Sequence, residues 1–204
     1  MAALQMTSGS PDTTRSLVLE SERLVLRAPR LSDTESIVGL AGNRSIAEMT
    51  ALIPHPYARA DAEAWIAAPA AAGDVTLAVT RKTDGALLGA CGYAHGGKTE
   101  PELGYWIGEP HWNEGFATEA VRAVIDYAFA HVRLDAITSS SRVINAASRR
   151  VIEKCAFQWT GAGLLRVHSL KASVPVDRFR LDRRTWKSLR AWGRSELPQP
   201  SKSA

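Results

Sequence analysis

The sequence predicts a single domain of the mixed α/β class. Apolar runs at strand period alternate with helical segments, an Asp-Gly pair separates two apolar runs, and a long amphipathic helix follows a glycine loop. The predicted order is strands, two helices, three antiparallel strands, helix, strand, helix and two closing strands. A chain of 204 residues with 45% hydrophobic residues can build one full core. We therefore expect a mostly antiparallel sheet flanked by helices.

The N-terminal elements are two short strands and two helices. Leu17–Glu20 and Arg23–Arg27 are predicted to be extended, because the second alternates apolar with charged residues. Ser32–Ala41 begins with the pattern of a capping box and is predicted to be helical. A second helix is predicted over Ala60–Ala68, because Pro69 cannot continue it.

Three antiparallel strands are predicted in the middle of the chain. Thr76–Thr80 and Ala86–Tyr93 flank Asp84-Gly85, a pair that favours a hairpin turn, and Glu102–Ile107 is the third strand. The later elements are predicted as a long helix from Ala117, a strand at Ala136–Ser140, a helix capped by Asn145 and running through Cys155, and closing strands at Phe157–Thr160 and Val176–Leu181.

The loop before the long helix indicates a functional site. The apolar residues of this helix recur at helical period: Ala117, Ala120, Val121, Val124, Ile125 and Ala128. Its first turn has N–H groups without partners at the positive end of the helix dipole, which together form an anion site. Gly115 has no side chain, so a phosphate could approach the main chain closely. An ordinary glycine turn before a core helix is the alternative.

Composition limits the class of protein. The charged fraction is 23% and the net charge is +4. There is neither an apolar run long enough to span a bilayer nor the pattern of a secretory signal, so we expect a cytoplasmic protein without a membrane partner. We expect a mobile leader over residues 1–17, one domain over 18–187 and a flexible C-terminal tail over 188–204.

Cysteines, histidines and basic residues predict no further site. Cys91 and Cys155 lie in apolar stretches and the five histidines are scattered, so we expect neither a disulfide framework nor a metal. The basic residues near the C-terminus match no nucleic-acid motif. A solvated basic face is therefore favoured over a nucleic-acid partner.

Four segments, taken together and in order, resemble the GNAT acyltransferase superfamily and are most similar to its RimJ/RimL-type branch. They are similar to that branch's opening strand and helix, central strand, pyrophosphate loop, and last conserved helix with the following strand entry. The segments are Glu22–Arg27 followed by Asp33, Glu102–Ile107, Trp112–Ala120 and Asn145–Phe157. The resemblance covers roughly Glu22 to Trp186.

The resemblance implies a sheet splayed between its fourth and fifth strands, with acetyl-CoA bound there as the cosubstrate. The pyrophosphate would lie on the loop amides, and the β-strand edge would pair with the pantetheine arm. Asn145 would bond the pantetheine amides or the thioester region, besides capping its helix. Arg149, with Arg150, would meet the 3′-phosphate or form a solvated pair. The implied cofactor-binding residues are Trp106, Ile107, Trp112, Asn113, Glu114, Gly115, Phe116, Ala117, Thr118, Asn145 and Arg149.

Three loop positions depart from the family pattern. Trp112 stands where much of the superfamily has Gln or Arg, although Trp is familiar in this branch, and Asn113 often gives way to Gly. Glu114 places a carboxylate where a basic residue would help to bind phosphate. Its N–H is still available, so binding remains possible in a less favourable field.

Acetyl transfer to an amine requires a base, an oxyanion donor and a proton for the thiolate. Glu102 is the predicted base, with burial expected to raise its pKa toward neutral, and a surface carboxylate is the alternative. Ser148 is the general acid by similarity with the branch, and a local backbone hydrogen bond is its alternative. A main-chain N–H near Trp106 would serve the oxyanion. Neither a Ser/His/Asp nor a Cys/His arrangement is present, so we expect direct attack in a ternary complex.

The acceptor amine is not encoded in a readable motif. His55, Tyr105 and His111 are candidates to line the amine pocket, and a structural role is the alternative for both histidines. Protein N-termini, amino acids, antibiotics and polyamines all offer an amine. We expect an N-acetyltransferase that acts as a monomer or homodimer. The alternatives are a catalytically weak CoA-binding or sensing module and a ribosome- or RNA-associated basic protein.

Overall fold

The computed structural model describes residues 17–68 and 70–192. The predicted leader before residue 17, the helix-stopping Pro69, and residues 193–204 of the predicted tail lie outside the described residues.

The centre of the fold is one sheet of eight strands. These are β1 (Val18–Glu20), β2 (Leu24–Arg27), β3 (Val75–Arg81), β4 (Leu87–Ala94), β5 (Glu102–Ile107), β6 (Ala136–Arg142), β7 (Gln158–Val167) and β8 (Ala172–Asp182). Their order across the sheet is β1-β2-β3-β4-β5-β6-β8-β7. Neighbours are antiparallel except β5 and β6, which are parallel. The predicted mixed α/β class with a mostly antiparallel sheet is confirmed.

Six α-helices flank this sheet in the described part of the chain. They are α1 (Thr34–Ala41), α2 (Arg44–Met49), α3 (Arg59–Ala67), α4 (Phe116–Tyr127), α5 (Ala146–Lys154) and α6 (Arg183–Trp192). A π-helical turn over Ala128–Val132 continues α4. The sequence did not predict α2 or α6, since α2 has only six residues and α6 is strongly basic.

The C-terminal helix α6 extends into the predicted tail. Residues 188–192 are helical. Trp186 fixes the helix, because its ring lies 5.5 Å from that of Phe129 and its Nε1 donates to Asp126 at 2.8 Å. Arg190 also pairs with Asp126, at 2.6 Å. One aromatic side chain and one carboxylate therefore dock a helix that has little apolar surface of its own.

The two faces of the sheet carry different helices. The larger core joins the buried face of α4 to Leu103 and Ile107 of β5 and to Ile152 of α5. The apolar face predicted for α4 is confirmed, since Ala120, Val121, Val124 and Ala128 have no exposed surface and Ile125 has 3%. The smaller core covers the opposite face and joins α1 and α3 to β3, with Trp106 of β5 packed against it.

The sheet opens between β5 and β6. These strands pair only at Glu102 with Thr138 and at Leu103 with Ser139. Beyond this point β5 stays with β4 as far as Ile107, whereas β6 stays with β8 as far as Arg142. The expected splay is therefore present, but it follows the fifth strand of this chain, because both short N-terminal strands join the sheet.

Candidate active site

The β5 side of the opening presents main-chain groups. Pro101 and Leu103 direct their carbonyls toward β6, since they accept from the Thr138 N–H at 2.9 Å and from Ser139 Oγ at 3.1 Å. The main-chain groups of alternate strand residues point the same way. Tyr105 and Ile107 therefore face the gap, beyond the last residue that β6 pairs with β5. The gap has the edge of a strand along one wall.

Trp106 is directed away from this edge. Gly108 N donates to Leu88 O at 2.8 Å, and a Cβ on Gly89 would collide with the Trp106 carbonyl, so this carbonyl faces β4. The pairing of a pantetheine arm near Trp106 and Ile107 stays a prediction, and in this register the groups that face the gap belong to Tyr105 and Ile107. The predicted oxyanion donor near Trp106 would likewise be an N–H of one of these two residues.

Trp112 closes the far end of the edge. Its indole Nε1 donates to the Ile107 carbonyl at 2.6 Å, while the residue as a whole is 41% exposed. One of the acceptors facing the gap is therefore already satisfied by the chain itself. The N–H of Ile107 and both main-chain groups of Tyr105 remain directed at the gap.

The loop of residues 112–115 before α4, called the anion loop below, has the geometry of an anion site. Asn113 and Gly115 are in the left-handed region, with φ of 64° and 83°. The first hydrogen bond of the helix runs from Glu119 N to Gly115 O at 3.1 Å. The N–H groups of residues 116–118 therefore have no acceptor within the helix. Residues 112–115 are exposed, so an anion can reach this turn.

Sequence reasoning missed Arg23, which contacts this loop from the start of β2. Its Nη1 donates to the Glu114 carbonyl at 3.0 Å, and its Nη2 lies 2.7 Å from Glu119 Oε2. The only available signal was the place of Arg23 in the opening-strand segment that resembles the RimJ/RimL branch. A separation of 91 residues between Arg23 and Glu114 hides the contact from any local pattern.

The start of α5 forms the other wall. Asn145 caps the helix, since its side chain accepts from Ser148 N at 3.0 Å, as predicted. The Tyr105 hydroxyl lies 2.9 Å from Ser148 Oγ and donates to the Ser148 carbonyl at 3.1 Å. Burial raises the pKa of the Tyr105 phenol far above its ordinary value, so it remains protonated. Because Tyr105 lies on β5 and Ser148 on the helix after β6, this contact bridges the gap.

Glu102 lies at the base of the gap on the opposite face. Its Oε2 accepts from Lys98 Nζ at 2.6 Å and its Oε1 accepts from Ser140. Burial acts to raise the pKa of Glu102, but the hydrogen bonds from Lys98 and Ser140 and the charges of Lys98 and Arg178 outweigh it and lower the pKa. The predicted rise toward neutral is wrong, because a lysine four residues earlier compensates the carboxylate.

Arg149 is ion-paired within the chain. Its Nε donates to Glu153 at 2.8 Å and its Nη1 donates to Asp177 at 3.0 Å. Two carboxylates therefore compensate this guanidinium, and its contact with a 3′-phosphate stays a prediction. Arg150 is exposed on the next position of the helix.

The three predicted acceptor residues do not form one cluster. Tyr105 contacts Ser148, as described above. His55 is exposed in the loop before α3, and Nδ1 of His111 lies 3.5 Å from Arg81 Nη2 beside the end of β3. Tyr105 therefore lies at the gap, whereas His111 contacts Arg81 at the end of β3.

Both thiols are poor nucleophiles. Burial raises the pKa of Cys91 far above its ordinary value and that of Cys155 to about 11. Both remain protonated near neutral pH, which favours direct attack over an acyl-enzyme. Within residues 17–68 and 70–192, there is no group of three or more His, Cys, Asp or Glu that could hold a metal ion. In the same part of the chain, every helix is too short or too polar to cross a membrane.

Three solved structures with the same fold are described as acetyltransferases. A GNAT-family acetyltransferase from Bacillus anthracis superposes with a TM-score of 0.72 at 19% identity, covering 82% of this chain and 99% of that one. A ribosomal-protein-S5-alanine acetyltransferase from Vibrio fischeri gives 0.68 at 18% identity, covering 83% and 98%. The microcin C7 self-immunity acetyltransferase MccE, solved with acetyl-CoA and AMP, gives 0.65 at 16% identity, covering 79% and 93%. These likenesses show the fold.

Sequence comparison shows the family. The uncharacterized N-acetyltransferase YoaA of Bacillus subtilis strain 168 is 27% identical over 174 residues, 78% of this chain and 92% of the relative. The uncharacterized N-acetyltransferase p20 of Bacillus licheniformis is 32% identical over 103 residues, which span 48% of this chain and only 55% of that relative. The family model of the acetyltransferase (GNAT) domain matches residues 23–158. Since this match covers more than half of the chain, the protein belongs to the GNAT acetyltransferase family.

Proposed function

We propose that the protein moves an acetyl group from acetyl-CoA to a primary amine by direct attack in a ternary complex, as a member of the RimJ/RimL-type branch. The observation that carries this proposal is the gap between β5 and β6, with an anion loop at one end and polar side chains on both of its faces. Support for the cosubstrate comes from MccE, whose structure contains acetyl-CoA. The fold shared with a ribosomal-protein acetyltransferase supports the branch.

The residues around the gap fit acetyl-CoA. The groups of Tyr105 and the N–H of Ile107 would pair with the pantetheine amides as an added strand does. The amides from Asn113 to Thr118 would hold the pyrophosphate. The carbonyl oxygen of the Asn145 side chain is used by the helix cap, so its amide N–H groups remain to donate to pantetheine. The cosubstrate supplies a thioester, whose carbonyl carbon is attacked and whose thiolate leaves.

The two faces of the sheet separate the two proton transfers. Successive strand residues point to opposite faces, so Glu102 and Tyr105 of β5 lie on different faces. Glu102 contacts Ser140 on one face, and Tyr105 contacts Ser148 on the other. An acyl group in the gap would lie between them. The amine would therefore approach from the Glu102 face, and the sulfur would leave toward Ser148.

Glu102 would serve the amine as an ionised carboxylate. Its pKa is lowered, so it is ionised at neutral pH and can accept a hydrogen bond from the neutral form of the amine, which is the form that attacks. A carboxylate is a weak base for a free amine. The nitrogen becomes strongly acidic as its bond to the acyl carbon forms, so a weak base is then sufficient.

Ser148 would serve the departing thiolate. The Tyr105 hydroxyl has one hydrogen, and turning it from the Ser148 carbonyl to Ser148 Oγ leaves the hydrogen of Ser148 free to point at the sulfur. A hydrogen bond made only as negative charge develops stabilises the transition state more than the bound cosubstrate. Tyr105 therefore acts through Ser148 rather than on the acceptor.

Changing Gly115 to Val should abolish acetyl-CoA binding. A β-branched residue is strained at a φ of 83° and would place methyl groups where a phosphate must approach. Calorimetric titration would measure the affinity, with circular dichroism as the check on folding. Gly39→Ala is the matched control, because a Cβ there meets nothing within 4 Å. Unchanged affinity in Gly115→Val would remove the pyrophosphate from this loop.

Changing Glu102 to Gln should lower kcat/KM by about 10²–10⁴-fold if Glu102 is the base, with little change in acetyl-CoA affinity. Glu100→Gln is the matched control, because Glu100 pairs with Arg180 at 2.8 Å near the start of the same strand. Steady-state kinetics with a good amine acceptor would measure both. A parental rate in Glu102→Gln assigns the base to another group or to water.

The pH profile gives a separate test of Glu102. Its folded pKa is lowered, so its contribution to kcat/KM is complete above the ordinary carboxyl range and is lost only as pH falls through that low value. Glu102 should therefore add no acidic limb between about pH 6 and 8. A limb in that window that disappears in Glu102→Gln would contradict the carboxylate described here.

Changing Ser148 to Ala should lower kcat while leaving acetyl-CoA affinity nearly unchanged, because the lost hydrogen bond matters mainly in the transition state. Ser188→Ala is the control, since Ser188 bonds only a carbonyl of its own helix α6 among the contacts described, at 3.1 Å. Single-turnover rates and cofactor titration would separate kcat from binding. Parental turnover in Ser148→Ala would make Ser148 a residue of the helix start only.

A turnover screen tests the function as a whole. Free thiol release from acetyl-CoA would be measured with peptides, amino acids, aminoglycosides and polyamines as acceptors. The proposal expects at least one class to be acetylated. Tight acetyl-CoA binding without transfer to any amine would instead favour the CoA-binding or sensing module. The basic C-terminal region gives little support to an RNA-binding role, because Arg180, Arg183 and Arg190 are paired with carboxylates.

A further inference from the structure

We infer that Arg23 is a positioning residue for the cosubstrate. Its guanidinium bonds both the Glu114 carbonyl and the Glu119 carboxylate, and this set of contacts, the Arg23 clamp, holds the anion loop in the shape that binds pyrophosphate. This inference rests on the proposed use of acetyl-CoA. It concerns a residue of β2 rather than of the loop itself.

The clamp is built from several contacts on one guanidinium. Nη1 of Arg23 donates to the Glu114 carbonyl at 3.0 Å, Nε donates to Glu119 Oε2 at 2.8 Å, and Nη2 lies 2.7 Å from the same oxygen. The guanidinium carbon lies 4.5 Å from the centroid of the Phe116 ring. Arg23 therefore touches the last loop residues and the first turn of α4 at once.

Glu119 is fixed from the same side. The main-chain N–H of Arg23 donates to Glu119 Oε1 at 2.7 Å, and Ser21 Oγ donates to the same oxygen at 2.7 Å. Only 16% of the Glu119 side chain is exposed. Burial acts to raise the pKa of Glu119, but the hydrogen bonds from Arg23 and Ser21 outweigh burial. The pKa is therefore lowered and the carboxylate stays charged. A fixed carboxylate gives Arg23 a fixed direction.

The consequence for the loop follows from peptide geometry. In a planar trans peptide, the C=O of one residue and the N–H of the next point in opposite directions. Holding the Glu114 carbonyl toward Arg23 therefore aims the Gly115 N–H away from Arg23. A Cβ at residue 115 would lie 3.4 Å from Arg23 Nη2, an ordinary contact, so glycine is favoured there by its φ of 83° rather than by Arg23.

The Arg23 clamp favours phosphate binding despite the negative charge of Glu114, because it orients main-chain N–H groups. The exposed carboxylate of Glu114 repels a phosphate, and no residue of the loop from Trp112 to Gly115 is basic. Arg23 lies beside this loop, but Glu119 compensates its charge, so its contribution is orientation more than attraction. Oriented main-chain N–H groups bind anions without a net positive charge.

The test compares two acetyl donors that differ in the pyrophosphate. Arg23→Met should weaken acetyl-CoA binding roughly tenfold to a hundredfold, the range expected for a lost charge-assisted hydrogen bond. The kcat/KM for S-acetylpantetheine, which has no pyrophosphate, should stay within about twofold of the parent, since its arm lies in the gap. Arg23→Lys should recover part of the loss, because an ammonium group keeps the charge but lacks the planar fork that fixes the Glu114 carbonyl and Glu119 relative to each other.

Arg59→Met is the matched control, because Arg59 also pairs with glutamates, Glu35 and Glu63, on the exposed face of α3. It should leave both donors unchanged. Equal loss of both donors in Arg23→Met, or a loss that tracks the melting temperature, would overturn the positioning role in favour of general stability. Parental acetyl-CoA affinity in Arg23→Met would overturn the clamp alone. If the unaltered protein fails to bind acetyl-CoA, the proposed function fails and the clamp fails with it.

Discussion

β5 and β6 hold each other through two residue pairs, Glu102 with Thr138 and Leu103 with Ser139, and then separate. Main-chain groups in a protein interior need partners, so an opening within a sheet is stable only where water, side chains or a ligand supply them. Here the chain supplies some of them. Ser139 Oγ donates to the Leu103 carbonyl and Trp112 Nε1 donates to the Ile107 carbonyl, while the Tyr105 hydroxyl contacts Ser148 across the gap. The remaining groups along β5 form an edge that an extended, amide-containing ligand can complete.

The anion loop depends on the same geometry. β5 leads through a short 3₁₀ turn into the loop, and α4 then packs its apolar face on the side of the sheet that carries Leu103 and Ile107. The start of α4 is therefore held near the far end of the gap by the main core, and Arg23 adds a second attachment from β2. A ligand with an extended arm and a pyrophosphate matches both features, whereas either feature alone would fit many ligands.

Local features of the sequence were predicted well, because they are decided by neighbours in the chain. The period of apolar residues in α4, the Asp84-Gly85 hairpin and the Asn145 cap all belong to this class. Long-range features were predicted from resemblance or were missed. The direction of Trp106 depends on the register between β4 and β5, the low pKa of Glu102 depends on where Lys98 and Ser140 lie, and Arg149 is bound by Asp177 of β8. Arg23 escaped prediction for the same reason, since its partners lie about ninety residues away.

The β5 edge and the anion loop are proposed to bind one ligand together, and amide hydrogen exchange with and without acetyl-CoA can detect this. We expect slower exchange on binding in peptides that contain Tyr105 and Ile107 and in those that cover residues 113–118, with the hairpin of β7 and β8 unchanged. Protection confined to other segments, with both of these unchanged while acetyl-CoA is bound, would contradict it.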